Sequence, residues 1–266
     1  MNIFKKEMKA NVTSLIIWCC AQVFIIYAGM MKYQGFIDSH VDMSKLLAGF
    51  PKEIMVIFGV GSSLDLTKVA GFYSVFFLYF MLLAAVHAVM FGAVAVSREE
   101  RDHCADFLYA KPIRRFQVIM PKLIAGVINI LIFNMVTFGA SVFFISLHNN
   151  GDGMFNQVSL TMLALFILQL FFLALGAMFG AVLKNTKLAT SVSGAFILGF
   201  FLISVAVDLY DKLTFLKIFT PFKYFEGSTL MLDNQLSFTS AVILLIVSVI
   251  FFALTFFAFN RRDLKT

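Results

Sequence analysis

His87 is the single ionisable side chain placed well inside any apolar stretch of this chain. An imidazole in that setting either moves a proton or, as a neutral ring, hydrogen-bonds a neighbouring helix. Proton relays through a membrane interior pair or chain Asp, Glu and His. No Asp or Glu falls inside an apolar run, so the neutral, packing role is favoured. Gln22, Asn129, Asn134 and Gln169 are the uncharged polar side chains in similar settings. Each either lines a polar path or bonds a partner helix, and such interhelical bonds contribute about 0.6–2 kcal/mol apiece. Nucleotide and metal chemistry lack their signatures. No Gly is followed by Lys, which removes the phosphate-binding pattern G-x-x-x-x-G-K-[ST], and neither H-E-x-x-H nor G-x-S-x-G occurs. Cys19, Cys20 and Cys104 have neither disulfide nor zinc spacing. No catalytic residue, metal site or cofactor is expected in this chain.

A second constellation lies between residues 97 and 122. Ser97-Arg98-Glu99-Glu100-Arg101-Asp102-His103-Cys104-Ala105-Asp106-Phe107-Leu108-Tyr109-Ala110 reads as a short charged helix, and Pro112 closes it before Arg114 and Arg115. Glu99, Glu100 and Asp106 surround an apolar knob, Phe107-Leu108, with Arg114 beyond it. An exposed apolar patch ringed by charge suits docking to a soluble partner.

These groups are positioned by long apolar segments. The chain is 61% hydrophobic, where a soluble domain is about half apolar, and its mean hydropathy is +0.91. About 20 apolar residues cross the hydrocarbon core as a helix. Spans are predicted near 12–31, 70–96, 123–147, 158–183, 188–207 and 239–259. Helices are expected because a lipid-exposed backbone must satisfy its own hydrogen bonds, and the continuous runs do not alternate as barrel strands do. The prediction is one all-α integral membrane domain, 1–266, seated in a lipid bilayer. Lys5, Lys6 and Lys9 precede a first span too long for a signal peptide and without a small-x-small cleavage site. Residues 2–11 are expected as an interfacial amphipathic helix. Short helices are expected in the outer loop 32–69, from Met43, Leu46, Leu47, Phe50, Ile54 and Phe58 around Pro51. The aromatic stretch 208–238 either dips into the outer leaflet and returns or forms an interfacial belt. Gly176 and Gly180 make a small-xxx-small pattern, for packing within the chain or between copies.

Six spans leave both termini on one face. That face carries fourteen Lys and Arg against seven on the other, and six acidic residues against nine. The excess of basic residues marks it as cytoplasmic. The net charge of +6 is thus a topology signal, and no nucleic-acid partner is expected.

The 97–122 loop resembles that of type-2 ABC exporter permeases. There an acidic stretch leads to Gly-Thr, Glu-Phe-Leu-Leu-Ser, x-Pro-[VI]-x-Arg and a following Lys. Asp106-Phe107-Leu108-Tyr109-Ala110-Lys111-Pro112-Ile113-Arg114-Arg115 matches the second half, with Lys122 downstream, and His103-Cys104 replaces Gly-Thr. Pro221-Phe222-Lys223-Tyr224 and the tail Phe259-Asn260-Arg261-Arg262-Asp263-Leu264 also match, so the likeness covers nearly the whole chain. The resemblance implies a permease in a bacterial cell membrane that pairs with a second permease copy, as homodimer or heterodimer, and with two ATPase subunits that carry the ATP and Mg. The 98–110 helix would be the coupling helix. The implied cargo is hydrophobic or amphipathic: a peptide toxin, an antimicrobial peptide or a drug. A passive channel, or a proton-coupled carrier using His87, is the alternative.

Overall fold

The computed structural model describes residues 3–39, 51, 54–55, 65–101, 115–149, 151–183 and 185–261, without the side chains of 99–101 and 211. Six long helices dominate: α1 (Ile3–Asp38), α2 (Val69–Arg101), α3 (Arg115–His148), α4 (Phe155–Val182), α5 (Thr186–Leu209) and, after a short α6 (Gly227–Met231), α7 (Phe238–Arg261). The shortest of the six has 24 residues, roughly 36 Å at helical rise, which exceeds the hydrocarbon thickness of about 30 Å. All six are apolar enough to cross a membrane. The bundle matches the all-helical, six-span expectation.

α4 and α2 form its centre. In their most apolar stretches 72% and 61% of residues are buried, against 17% for α5 and 22% for α7. α4 is apolar on every side, as a helix enclosed by others must be. α1 lies on α3, α5 on α2, and α7 on α4. The α2–α4 crossing is close because glycines face backbone. A Cβ on Gly176 would lie 2.1 Å from the Val89 carbonyl oxygen, and one on Gly180 2.6 Å from that of Ala93. From the other side, a Cβ on Gly92 would lie 2.3 Å from the Leu173 oxygen. The small-xxx-small pattern therefore serves packing within the chain.

Turn chemistry closes the short connections. Gly151 takes a left-handed φ of 86°, and the Asp152 carboxylate accepts from the Met154 amide at 2.8 Å before α4. Asn185 caps α5, its side chain accepting from the Lys187 and Leu188 amides.

Several expectations change. Residues 3–11 are not a separate interfacial helix but the first turns of α1, which runs unbroken for 36 residues. Lys5-Lys6-Glu7-Met8-Lys9-Ala10 holds only good helix formers and no Pro or Gly, so nothing ends the helix there. Glu7 and Asn11 are also held against α2. α2 is helical through Arg101, so 98–101 continue α2, and the rest of the expected 98–110 helix lies outside the described residues. α3 begins at Arg115, eight residues before the predicted span, and passes through Pro121 at the loss of one backbone donor. Met43, Leu46, Leu47, Phe50 and Phe58 of the expected outer helices lie outside the described residues; Ile54 and Met55 turn back onto the Pro51 carbonyl.

The 208–238 stretch is neither a span nor a loose belt. It forms two 3₁₀ turns, Asp211–Phe219 and Pro221–Lys223, followed by α6. Phe222 and Phe225 are buried, with Phe222 5.4 Å from Phe172 of α4 and 6.3 Å from Phe201 of α5 between ring centroids. Thr220 donates to the Phe200 carbonyl at 2.8 Å, about 13 Å along α5 from its C-terminal end. Its buried apolar side chains and this tie hold the segment in the bundle beside α2, α4 and α5.

Candidate functional site

Two polar constellations stand out against the apolar bundle. The first is the set singled out in the sequence. Trp18, His87 and Asn129 lie on α1, α2 and α3, about 21 Å from the N-terminal end of α1, the C-terminal end of α2 and the N-terminal end of α3 respectively. His87 is buried, with Nε2 3.0 Å from the Asn129 Oδ1, its ring stacked on Phe133 at 4.8 Å and 5.8 Å from Trp18. A neutral imidazole makes this hydrogen bond to the amide without a charged partner. One turn further out, Asn134 donates to the Gln169 Oε1 and to the Ile130 carbonyl, and the Gln169 amide reaches the Ala84 carbonyl at 3.4 Å. Gln22 is fully buried on α1, but neither amide atom has a partner among the described residues. Four of the five residues are thus brought together as two interhelical pairs, and Gln22 stands apart. Among the described residues, the one buried carboxylate is Glu7, near the N-terminal end of α1.

The second constellation was not foreseen. The last turns of α2 and the first of α3 bracket residues 102–114, and both are fastened to the rest of the bundle. Arg98 Nη1 lies 3.2 Å from the Glu7 Oε1, and its Nη2 donates to the Asn11 Oδ1 at 2.8 Å. Asn11 in turn donates to the Glu7 carbonyl and carboxylate at 2.8 and 3.2 Å. Both side chains of the ion pair are nearly enclosed, at 12% and 4% exposure, which raises its strength above that of a solvated pair. Lys122 of α3 is buried and donates to the Ala95 carbonyl at 2.6 Å, and Thr186 of α5 donates to the Ser97 carbonyl at 3.2 Å. Arg115 donates to the Phe259 and Asn260 carbonyls at 2.8 and 3.0 Å, the C-terminal end of α7 where a cation is favoured. A signal for part of this was available. Glu7 and Asn11 continue the buried stripe Leu15, Gln22, Ile26, Met30 and Tyr33, so their spacing already placed them on the inward face.

The proposed docking residues Asp106, Phe107, Leu108 and Arg114 lie outside the described residues. Glu99 and Glu100 belong to the last turn of α2, and their side chains lie outside the description. No group of three or more metal-ligating side chains occurs among the described residues. At the opposite end of the bundle, a groove of about 430 Å³ runs between the 3₁₀ turns, α6 and the start of α7. Its charges are paired: Lys217 with Glu226 at 3.0 Å, and Lys223 with Asp208. Burial raises the Tyr224 hydroxyl pKa there, and that hydroxyl donates to the Ile218 carbonyl.

Six apolar helices around a centre without a paired ionisable group define a multi-pass helical membrane protein. Residues 1–264 match the family described as ABC-2 family transporter protein, and the chain belongs to that family. It is an ABC-2 permease component, which has no ATPase activity of its own. No curated protein matches the chain.

Proposed function

We propose that this permease exports a hydrophobic or amphipathic cargo, such as a peptide toxin, an antimicrobial peptide or a drug, from a bacterial cell. Two copies of a separate ATPase subunit supply the energy, and a second permease copy, identical or not, completes the transporter. Glu99, Glu100, Asp106, Phe107, Leu108 and Arg114 form the ATPase-docking element. The observation that carries this reading is family membership combined with the setting of His87, buried in the bundle against an amide and, among the described residues, no carboxylate. Chemistry of that kind gives no ion gradient a handle, so energy must enter through another chain. The chain's 34 Phe and 14 Met favour an apolar or amphipathic cargo over a small ion. The deciding experiment is co-purification with a phosphate-loop ATPase, followed by ATP hydrolysis with and without an amphipathic helical peptide or a lipophilic dye. Peptide- or dye-stimulated hydrolysis supports the cargo class; hydrolysis indifferent to both removes it.

The topology that this function needs places Lys5, Arg114 and Arg262 inside and Lys45 and Lys223 outside, on the strength of the fourteen-to-seven basic asymmetry. Single cysteines at 45 and 223 should react with a membrane-impermeant maleimide in intact cells. Labelling at 114 in the same cells overturns the orientation.

His87→Gln should leave transport within about twofold, since an amide at that place keeps a bond to Asn129 worth about 1 kcal/mol. Export measured across a pH series should keep the wild-type profile. Complete loss with the ATPase still bound would instead revive a proton-coupled carrier working through His87.

A further inference from the structure

The Glu7–Arg98 pair is an ion pair between two helices at the end of the bundle that flanks residues 102–114. Lys122 and Thr186 each make their described hydrogen bond to a backbone carbonyl of α2, and Arg115 makes its two to α7; contacts of that type hold helices in place. Glu7 and Arg98 are opposite charges on the two helices that meet at the point where α2 hands over to residues 102–114. The pair lies three residues before the end of α2 and four after the start of α1. Asn11 braces it by bonding both partners, so the guanidinium, carboxylate and amide form one closed unit across the α1–α2 contact. α1 also meets α2 through Phe72 with Tyr33 and His87 with Trp18, contacts that permit sliding. α1 is less enclosed than α2, with 28% of its most apolar stretch buried against 61%.

We propose that Glu7 and Arg98, braced by Asn11, are positioning residues that make α1 travel with the cytoplasmic end of α2 when force arrives through residues 102–114. The proposal rests on the reading that an ATPase docks there. Under it, α2 and α4 move as one unit because their glycine crossing allows no slip, and the ion pair adds α1 to that unit. An ion pair suits this task better than an apolar contact. It resists displacement along the helix axes, whereas side-chain packing between smooth helices tolerates shifts of 1–2 Å.

The test uses the permease in complex with its ATPase. Cys19, Cys20 and Cys104 are replaced, and spin labels are attached at Thr13 of α1 and Val182 of α4, both exposed. Distances are measured without nucleotide and with ATP, Mg and vanadate. In the parent protein one distance should persist in both states. Glu7→Gln, nearly isosteric, should keep the resting distance and the bound ATPase. With ATP and vanadate it should show a second distance displaced by on the order of 2–5 Å, as α1 lags behind α2. The charge-swapped double variant E7R/R98E should restore the single distance. If Glu7→Gln gives the parental distances in both states, or is already displaced without nucleotide, the pair is not a transmission element and the proposal falls. Loss of the ATPase from the parent protein would count against the docking reading, which the same preparation monitors separately.

Discussion

Replacing Phe107 and Leu108 together with Asp is expected to strip the permease of its ATPase. If the segment after α2 docks on that partner, these two side chains fill an apolar groove there. Burial of one such side chain is worth roughly 1.5–3 kcal/mol, so the pair supplies about 3–6, a factor of roughly 10² to 10⁴ in affinity. The substitution removes that burial and also places two carboxylates where no water can solvate them. Neither residue falls in one of the six apolar runs of the sequence, so insertion into the membrane should be unaffected. The measurement is the amount of ATPase retained per permease on affinity purification, together with ATP-dependent export. Both should fall to background, while Lys111→Glu, a charge change beside the knob, should lower them far less. A double variant that keeps its ATPase at the parental ratio means that 102–114 is not the docking element, and the mechanism proposed above loses its point of entry.

The six helices were legible because membrane spans are set by a solvent, and a sequence reports that solvent directly: runs of apolar residues longer than the hydrocarbon is thick. Their ends were not legible to the same degree. α1 begins nine residues before its predicted span and α3 eight, because amphipathic first turns such as Lys5–Ala10 carry charge on one face and packing on the other. Hydropathy averages over both faces. The same averaging hid Glu7, which counts as a cytoplasmic charge in a topology rule but is buried against Arg98. Pairing of that kind depends on which helices are neighbours, and the sequence orders helices along the chain, not around the bundle. For His87 and Asn129, and for Asn134 and Gln169, the residue types announced interhelical bonds but not the partners. The 208–238 segment stayed ambiguous for a related reason. Its aromatic residues suit an interface and a packed re-entry equally, and its packing against α5 rests on a tertiary contact, Thr220 on the Phe200 carbonyl, that no local pattern announces.

The second large effect is expected at the α2–α4 crossing. Gly176→Val should abolish recovery of a monodisperse permease. The first atom of any side chain at 176 would meet the Val89 carbonyl oxygen at 2.1 Å and the Val89 Cα at 3.0 Å. Those are backbone atoms inside a helix, so they cannot rotate away, and relief requires the two helices to separate. Separation also opens the contacts of Gly180 with Ala93 and of Gly92 with Leu173, since all three glycines serve one crossing. Overpacking a fitted core costs about 1–3 kcal/mol even where side chains can shift, and here they cannot. α2 and α4 are the most enclosed spans, so the damage reaches every helix packed on them. Gly194 of α5 supplies the control. A Cβ there meets nothing within 4 Å, so Gly194→Ala should be neutral or slightly stabilising through its gain of up to about 1 kcal/mol in helix propensity. Size-exclusion chromatography of the two variants in detergent, with thermal denaturation of whatever elutes as a single peak, separates the cases. A Gly176→Val permease that elutes and melts like the parent would show that α2 and α4 do not cross at their glycines.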